Sequence, residues 1–173
     1  MIVMVLPAPK MNSKVSVLDP EERRKLMISG IHHASFTVSD MERSITFYRD
    51  LLGMKVDWDS EKEGVEFKGP VADRITECPG TEQRIVFLTI GEDRLELVQY
   101  TPTGKALVDN KAGDTGSAHV CFKTENIHDL YNKLSANGVR LHCTPQNNGR
   151  AWVIYFRDPD GIILEAVEQL IPA

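Results

Sequence analysis

The chain has 173 residues, 42% of them hydrophobic, and 20 basic against 25 acidic side chains leave a formal charge of −5. That length supports one domain with a substantial core, and the acidic balance argues against nucleic acid or an anionic membrane as partner. No apolar run approaches the roughly 20 residues that span a bilayer.

The first six residues are apolar but have no basic segment before them, so no secretory leader is expected. Residues 1–18 read as a tail. Asp19 then caps a helix with Pro20 at its first position and Glu21 and Glu22 in its first turn. This helix stops before Gly30, so 1–29 form an appendage whose Arg23, Arg24 and Lys25 make a solvated face. Residues 30–169 form a single domain built on a weak repeat. Module one (about 30–100) has a strand at 31–38, a helix at 41–52 capped by Gly53, and strands near 54–59, 84–90 and 94–100. The segment 60–83 carries no assignment and is read as a loop over the site. A polar linker covers about 101–116. Module two (about 117–169) has a strand at 117–123, a helix at 127–136 capped by Gly138, and strands near 139–143, 151–157 and 162–168. Turns at Gly91–Asp93 and Asp158–Gly161 separate the last two strands of each module. The pattern is βαβββ twice, an α+β architecture. Cys78, Cys121 and Cys143 are odd in number and far apart, which points to reduced thiols and a cytoplasmic setting.

Four strands carry a charged or titratable residue among apolar neighbours: His33, Glu96, His119 and Glu165. Side chains alternate across a strand. Ala34, Phe36 and Val38 then meet the helix while His33 faces away, and the same phase selects His33 over His32. Leu95 and Leu97 flank Glu96, Ala118 and Val120 flank His119, and Leu164 and Ala166 flank Glu165. A strongly curved sheet would gather the four. Charge inside a sheet is costly unless matched, and two imidazoles with two carboxylates suit a divalent Zn, Ni, Co, Fe or Mn ion. Such an ion acts as a Lewis acid toward substrate oxygens and stabilises an enolate-like oxyanion. A carboxylate beside it, Glu96 or Glu165, serves as proton acceptor.

Other residues carry weaker signals. Tyr48 reads as core. Met54, Phe87, Tyr100, Trp152 and Tyr155 read equally as an apolar pocket or as strand packing. Arg150 or Arg157 would suit a substrate carboxylate or stand exposed, and His128 and His142 read as surface residues.

The runs His33 to Asp40 (HASFTVSD), Arg43 to Gly53 (RSITFYRDLLG), Leu95-Glu96-Leu97, Ala118-His119-Val120 and Phe156 to Gly161 (FRDPDG), followed by Leu164-Glu165, resemble the vicinal oxygen chelate superfamily. This is the glyoxalase, bleomycin resistance and dioxygenase group, which also includes methylmalonyl-CoA epimerase and fosfomycin resistance proteins. The resemblance implies paired βαβββ modules whose mixed sheet curves round a metal, with His33, Glu96, His119 and Glu165 as ligands of the glyoxalase I and epimerase kind. It implies a lyase or isomerase that moves a proton next to the carbonyl of a small oxo or acyl substrate, and a homodimer whose site lies within one chain or across two. Bacterial glyoxalase I has an arginine four residues after its first ligand and an asparagine four after its second. Thr37 and Tyr100 stand there in this chain and speak against a glutathione adduct. The alternatives are an Fe(II) extradiol-type dioxygenase and a small-molecule-binding resistance protein.

Overall fold

Two short strands open the two halves of the chain, and each is followed by a capped helix. In this computed structural model the described residues are 27, 28, 30–106 and 109–170. The helix expected from Asp19 lies outside them. Strand β1 (Ala34–Thr37) leads to α1 (Met41–Ile45), whose cap Asp40 is extended and accepts a hydrogen bond from the Arg43 amide. The helix continues as a π-helical stretch, Thr46–Leu51, with Phe47 and Tyr48 both buried. It stops at Gly53, whose φ of 82° a side chain would resist. Strands β2 (Lys55–Asp59), β3 (Phe67–Lys68), β4 (Glu82–Ile90) and β5 (Asp93–Thr101) follow, with α2 (Pro70–Thr76) between β3 and β4. Module two repeats the plan with β6 (Val120–Lys123), α3 (Ile127–Ala136), β7 (Gln146–Asn147), β8 (Ala151–Arg157) and β9 (Ile163–Gln169). Asn126 caps α3 by accepting from the Asp129 amide.

The sheets run β1-β5-β4-β2, with β3 also on β4, and β6-β9-β8-β7. In each, the opening strand lies parallel to the last one and the other pairs are antiparallel. The expected βαβββ repeat is therefore present, as two mixed sheets with no closed barrel. Two segments differ from the expectation. Residues 60–83 contain β3 and α2. The strand expected at 139–143 is reduced to one bridge, Leu141 to Phe156, with the short β7 further on. Val139 and Leu141 of that stretch pack against the core, the residues between and after them do not, and Pro145 cannot donate to a ladder.

The helix-facing sides of the two sheets share one core. Val38, Met41, Ile45, Tyr48, Leu88 and Leu97 of module one cluster with Ile127, Leu134, Ile154, Phe156 and Leu164 of module two. Each fully buried side chain of this kind contributes about 1.5–3 kcal/mol. Polar bonds join the modules at the Asp158–Gly161 turn. The Tyr48 hydroxyl donates to Asp158 at 3.0 Å inside the core, and Arg43 meets Asp160 at 2.7 Å. Burial raises the Asp158 carboxyl above its ordinary value, although amides of Ile162 and Asp160 and the Tyr48 hydroxyl oppose it. Arg157 is neither exposed nor free for a substrate. It is 5% exposed and donates to His142, Asn110 and the Gly161 carbonyl. Among the described residues no helix is long and apolar enough to cross a membrane.

Candidate metal centre

The neighbours of Glu96 (Leu95 and Leu97) and of Glu165 (Leu164 and Ala166) all enter the shared core. By alternation both carboxylates stand on the opposite, open face of their sheets. The parallel ladders set Ser35 beside Glu96 and Cys121 beside Glu165. The histidines lie two residues before those partners, one residue ahead of β1 and β6 rather than within them. The two modules thus place a histidine and a glutamate in one and the same register.

The resulting pairs are close. His33 Nε2 lies 3.3 Å from Glu96 Oε2, and His119 Nε2 lies 2.9 Å from Glu165 Oε2. The carboxylates are the more sheltered members, 15% and 17% exposed against 31% and 38% for the imidazoles. Each glutamate has an aromatic residue across the antiparallel ladder, Phe87 opposite Glu96 and Tyr155 opposite Glu165. Phe87 meets the His33 ring edge-on at 5.5 Å, and Tyr155 approaches His119 at 5.2 Å with its hydroxyl 3.4 Å from Nε2.

Among the described residues no three His, Cys, Asp or Glu side chains gather to hold an ion. The structure brings His33 to Glu96 and His119 to Glu165 but keeps the pairs apart, because the sheets share a core through the sides that carry neither pair. In donor type the set fits a borderline divalent ion. In number, each open face supplies half of it.

The surroundings of the two pairs differ. His32 is exposed, and its Nδ1 lies 2.7 Å from His33 Nδ1. A proton shared there leaves His33 Nε2 aimed at Glu96, the orienting contact a ligating imidazole needs. Strand phase had set His32 aside, and only its adjacency to His33 signals this contact. Ala118 is the corresponding residue in module two. Arg94 lies 4.5 Å over the Phe87 ring and bonds Asp57. The open face of module one continues through Trp58 and Phe67, each ring about 6.2 Å from the next. In module two, burial and then Glu165 push the Cys121 thiol up to about 11, and the same two causes raise the Tyr155 hydroxyl. A cavity of about 480 Å³ runs from His32 and His33 past Arg94 to Val120 and Cys121 on β6.

The residues expected to line a pocket divide between the faces. Met54 and Trp152 pack in the core, while Phe87, Tyr100 and Tyr155 stand on the open sides. Burial, then Cys78 and Glu96, raise the Tyr100 hydroxyl. Opposite Tyr100 lies Gln83, a residue that sequence patterning did not single out. It is buried and polar, and its Nε2 has no hydrogen-bond partner among the described residues. His128 and His142 are at the surface as expected, the latter accepting from Arg157 Nε at 2.9 Å.

The model of the Glyoxalase/Bleomycin resistance protein/Dioxygenase superfamily matches residues 30–166. Lactoylglutathione lyase of Escherichia coli O157:H7 is 29% identical over 141 residues, covering 79% of this chain and 90% of the relative. The mitochondrial methylmalonyl-CoA epimerase of Mus musculus is 27% identical over 114 residues, covering 64% of this chain and 54% of the relative. Among solved structures, a glyoxalase family protein from Bacillus cereus superposes with a TM-score of 0.72 at 22% identity, over 85% of this chain and 98% of that one.

Proposed function

The chain belongs to the Glyoxalase/Bleomycin resistance protein/Dioxygenase superfamily, and on that premise we propose that it is a metal-dependent lyase or isomerase that moves a proton next to the carbonyl of a small oxo or acyl substrate. The observation that carries this reading is the repeated His–Glu pair, set in the same register of both modules. His33, Glu96, His119 and Glu165 would hold a zinc, nickel, cobalt, iron or manganese ion, which when bound supplies Lewis acidity toward substrate oxygens. The second carboxylate favours proton transfer over an iron dioxygenase, for which two imidazoles and one carboxylate suffice.

The protein's own residues do the rest. Glu96 or Glu165 takes the proton from carbon and returns it, since a carboxylate beside the reacting centre is placed for general-base work. Phe87 and Tyr155, each across from one glutamate, keep water from that carboxylate and wall the substrate. His32 orients His33. The four donors meet when a second copy of the chain sets its His119–Glu165 face against the His33–Glu96 face of the first. A homodimer with two equivalent sites follows from that arrangement. The described cysteines are free, in keeping with a cytoplasmic setting.

Metal analysis of protein purified without added ions, together with solvent deuterium incorporation into acyl thioesters and α-oxo compounds, tests the reading. Bound metal and exchange at the carbon next to the carbonyl are expected. Protein with no affinity for any of the five ions would overturn the metal assignment, and oxygen uptake with Fe(II) and catechols in place of exchange would overturn proton transfer.

A further inference from the structure

The two pairs are steadied differently. His33 has His32 beside it, whereas Ala118 stands before His119. His119 instead meets Tyr155, at 5.2 Å between ring centroids and with the hydroxyl 3.4 Å from Nε2. Tyr155 also lies across the ladder from Glu165, so one ring borders both members of the pair. Whatever fixes that ring fixes the wall of the pair.

Two residues outside the donor set do so. The His142 ring stacks on Tyr155 at 6.0 Å and 25°, and the His142 amide donates to the Tyr155 carbonyl at 2.8 Å. Arg157, on the same face of β8 as Tyr155, donates from Nε to His142 Nε2 at 2.9 Å. Arg157 reaches His119 by a second route. It donates to the side-chain and backbone oxygens of Asn110, and Asn110 Nδ2 donates to Ser117 Oγ at 2.9 Å, two residues before His119. Arg157 is 5% exposed, and among the described residues its hydrogen-bond acceptors are all neutral. The Asp109 carboxylate, whose charge it feels, is bonded by Arg140. A guanidinium buried without a carboxylate of its own is costly. A leucine at 157 would avoid that cost but release His142 and Asn110 together.

We propose that Arg157 and His142 are positioning residues for the His119–Glu165 pair: His142 holds the Tyr155 ring against it, and Arg157 holds both His142 and, through Asn110 and Ser117, the approach to His119. The effect on turnover rests on the proton-transfer reading. A guanidinium only donates, so His142 Nε2 accepts from Arg157 only while it carries no proton. Burial, then Arg157 and Arg140, lower the His142 value, with Asp109 opposing, and Tyr155 is the other titratable group against its ring. The hold is thus present above the ordinary imidazole value, about 6.5, and is lost as pH falls through the lower folded one.

His142 is at the surface, so His142→Ala and His142→Phe should fold with a Tm close to that of the wild type. Each is read by the NMR position of the His119 ring in protein without added metal, and by deuterium incorporation into an isobutyryl thioester by cobalt-loaded protein. His142→Ala is expected to move the His119 resonance and to lower kcat for exchange about tenfold with KM little changed. His142→Phe, which keeps a ring over Tyr155, is expected to restore both. In the same spectra the wild-type His142 should titrate below about 6.5, and Arg157→Leu should raise its midpoint. An unmoved His119 resonance, a kcat that survives His142→Ala, a loss that His142→Phe does not restore, or a wild-type His142 midpoint at or above about 6.5 would overturn the positioning role. No exchange by the wild type would overturn proton transfer instead, and the His119 resonance with its rescue by His142→Phe would then decide the positioning role.

Discussion

Module one sets Phe87 against His33 of its His33–Glu96 pair and backs that ring with Arg94 and Trp58, whereas module two sets Tyr155 and Cys121 beside His119–Glu165. The ligand geometry is repeated and the walls are not. Position in a parallel ladder is set by backbone pairing and survives divergence of the residues around it. Pocket walls depend on which side chains reach over the face and on what is inserted between strands. Under the proposed reading the repeat accounts for where a metal would be held, and the asymmetry gives module one the more aromatic open face.

The sharpest way to break this comparison is to disable one pair at a time. Glu96→Gln and Glu165→Gln should each lower kcat/KM by about 10²–10⁴-fold, because on the proposed reading either change removes one of the four metal donors and a carboxylate placed for base work. When the two inactive proteins are mixed and allowed to exchange subunits, activity should return, since a dimer that takes one pair from each copy regains one intact site. Mixtures that stay inactive despite demonstrated subunit exchange would place both pairs of a site in one chain.

Two buried aspartates extend the comparison to stability. Asp59 in module one is bonded by Arg84 at 2.9 Å. Burial alone would raise its carboxyl, but Arg84, the Glu61 amide and Lys62 outweigh it and hold it below the ordinary value. Its contribution is present above the unfolded carboxylate value, about 4, and is lost as pH falls through the lower folded one. Asp158 in module two has the opposite sign. Its raised carboxyl contributes fully below about 4, and the contribution is lost as pH rises through the folded value. Asp59→Asn should cost about 3 kcal/mol near neutrality, because it strips Arg84 of its buried partner. Urea unfolding between roughly pH 3 and 7 should show that deficit shrinking toward acid, while the deficit of Asp158→Asn grows toward acid. Parallel curves for all three proteins would contradict both assignments.

The smallest expected effect makes the two pairs more alike. Tyr155→Phe removes the hydroxyl near His119 and gives Glu165 the neighbour that Glu96 already has. It should cost about 0.5–1 kcal/mol in thermal or urea unfolding and change activity only a few-fold. A larger loss of turnover with stability preserved would give that hydroxyl a direct part in the reaction.

Much of this plan was legible before any contact was known. Gly53 and Gly138 end the two helices, and period-two alternation set Glu96 and Glu165 opposite the core. These are local properties, written within a few residues of where they act. The segment 60–83 was not legible, because β3 and α2 are held by pairing with β4 rather than by a pattern of their own. Arg157 and Gln83 were misjudged or passed over for a related reason, since burial of a polar side chain depends on residues distant in the chain. For Arg157 these are Asn110 and His142, and for Gln83 they are Phe67 and Tyr100.

One histidine and one glutamate per module, and the face each occupies, follow from amino-acid order alone, because alternation and turn chemistry act over a few residues. Whether the pairs meet is a different matter. Apolar burial joins the two sheets through their helix-facing sides, and that long-range choice turns the ligand faces outward and leaves each with half of a donor set. The same folding leaves Gln83 buried with its Nε2 unpartnered among the described residues, a condition that only the folded chain creates.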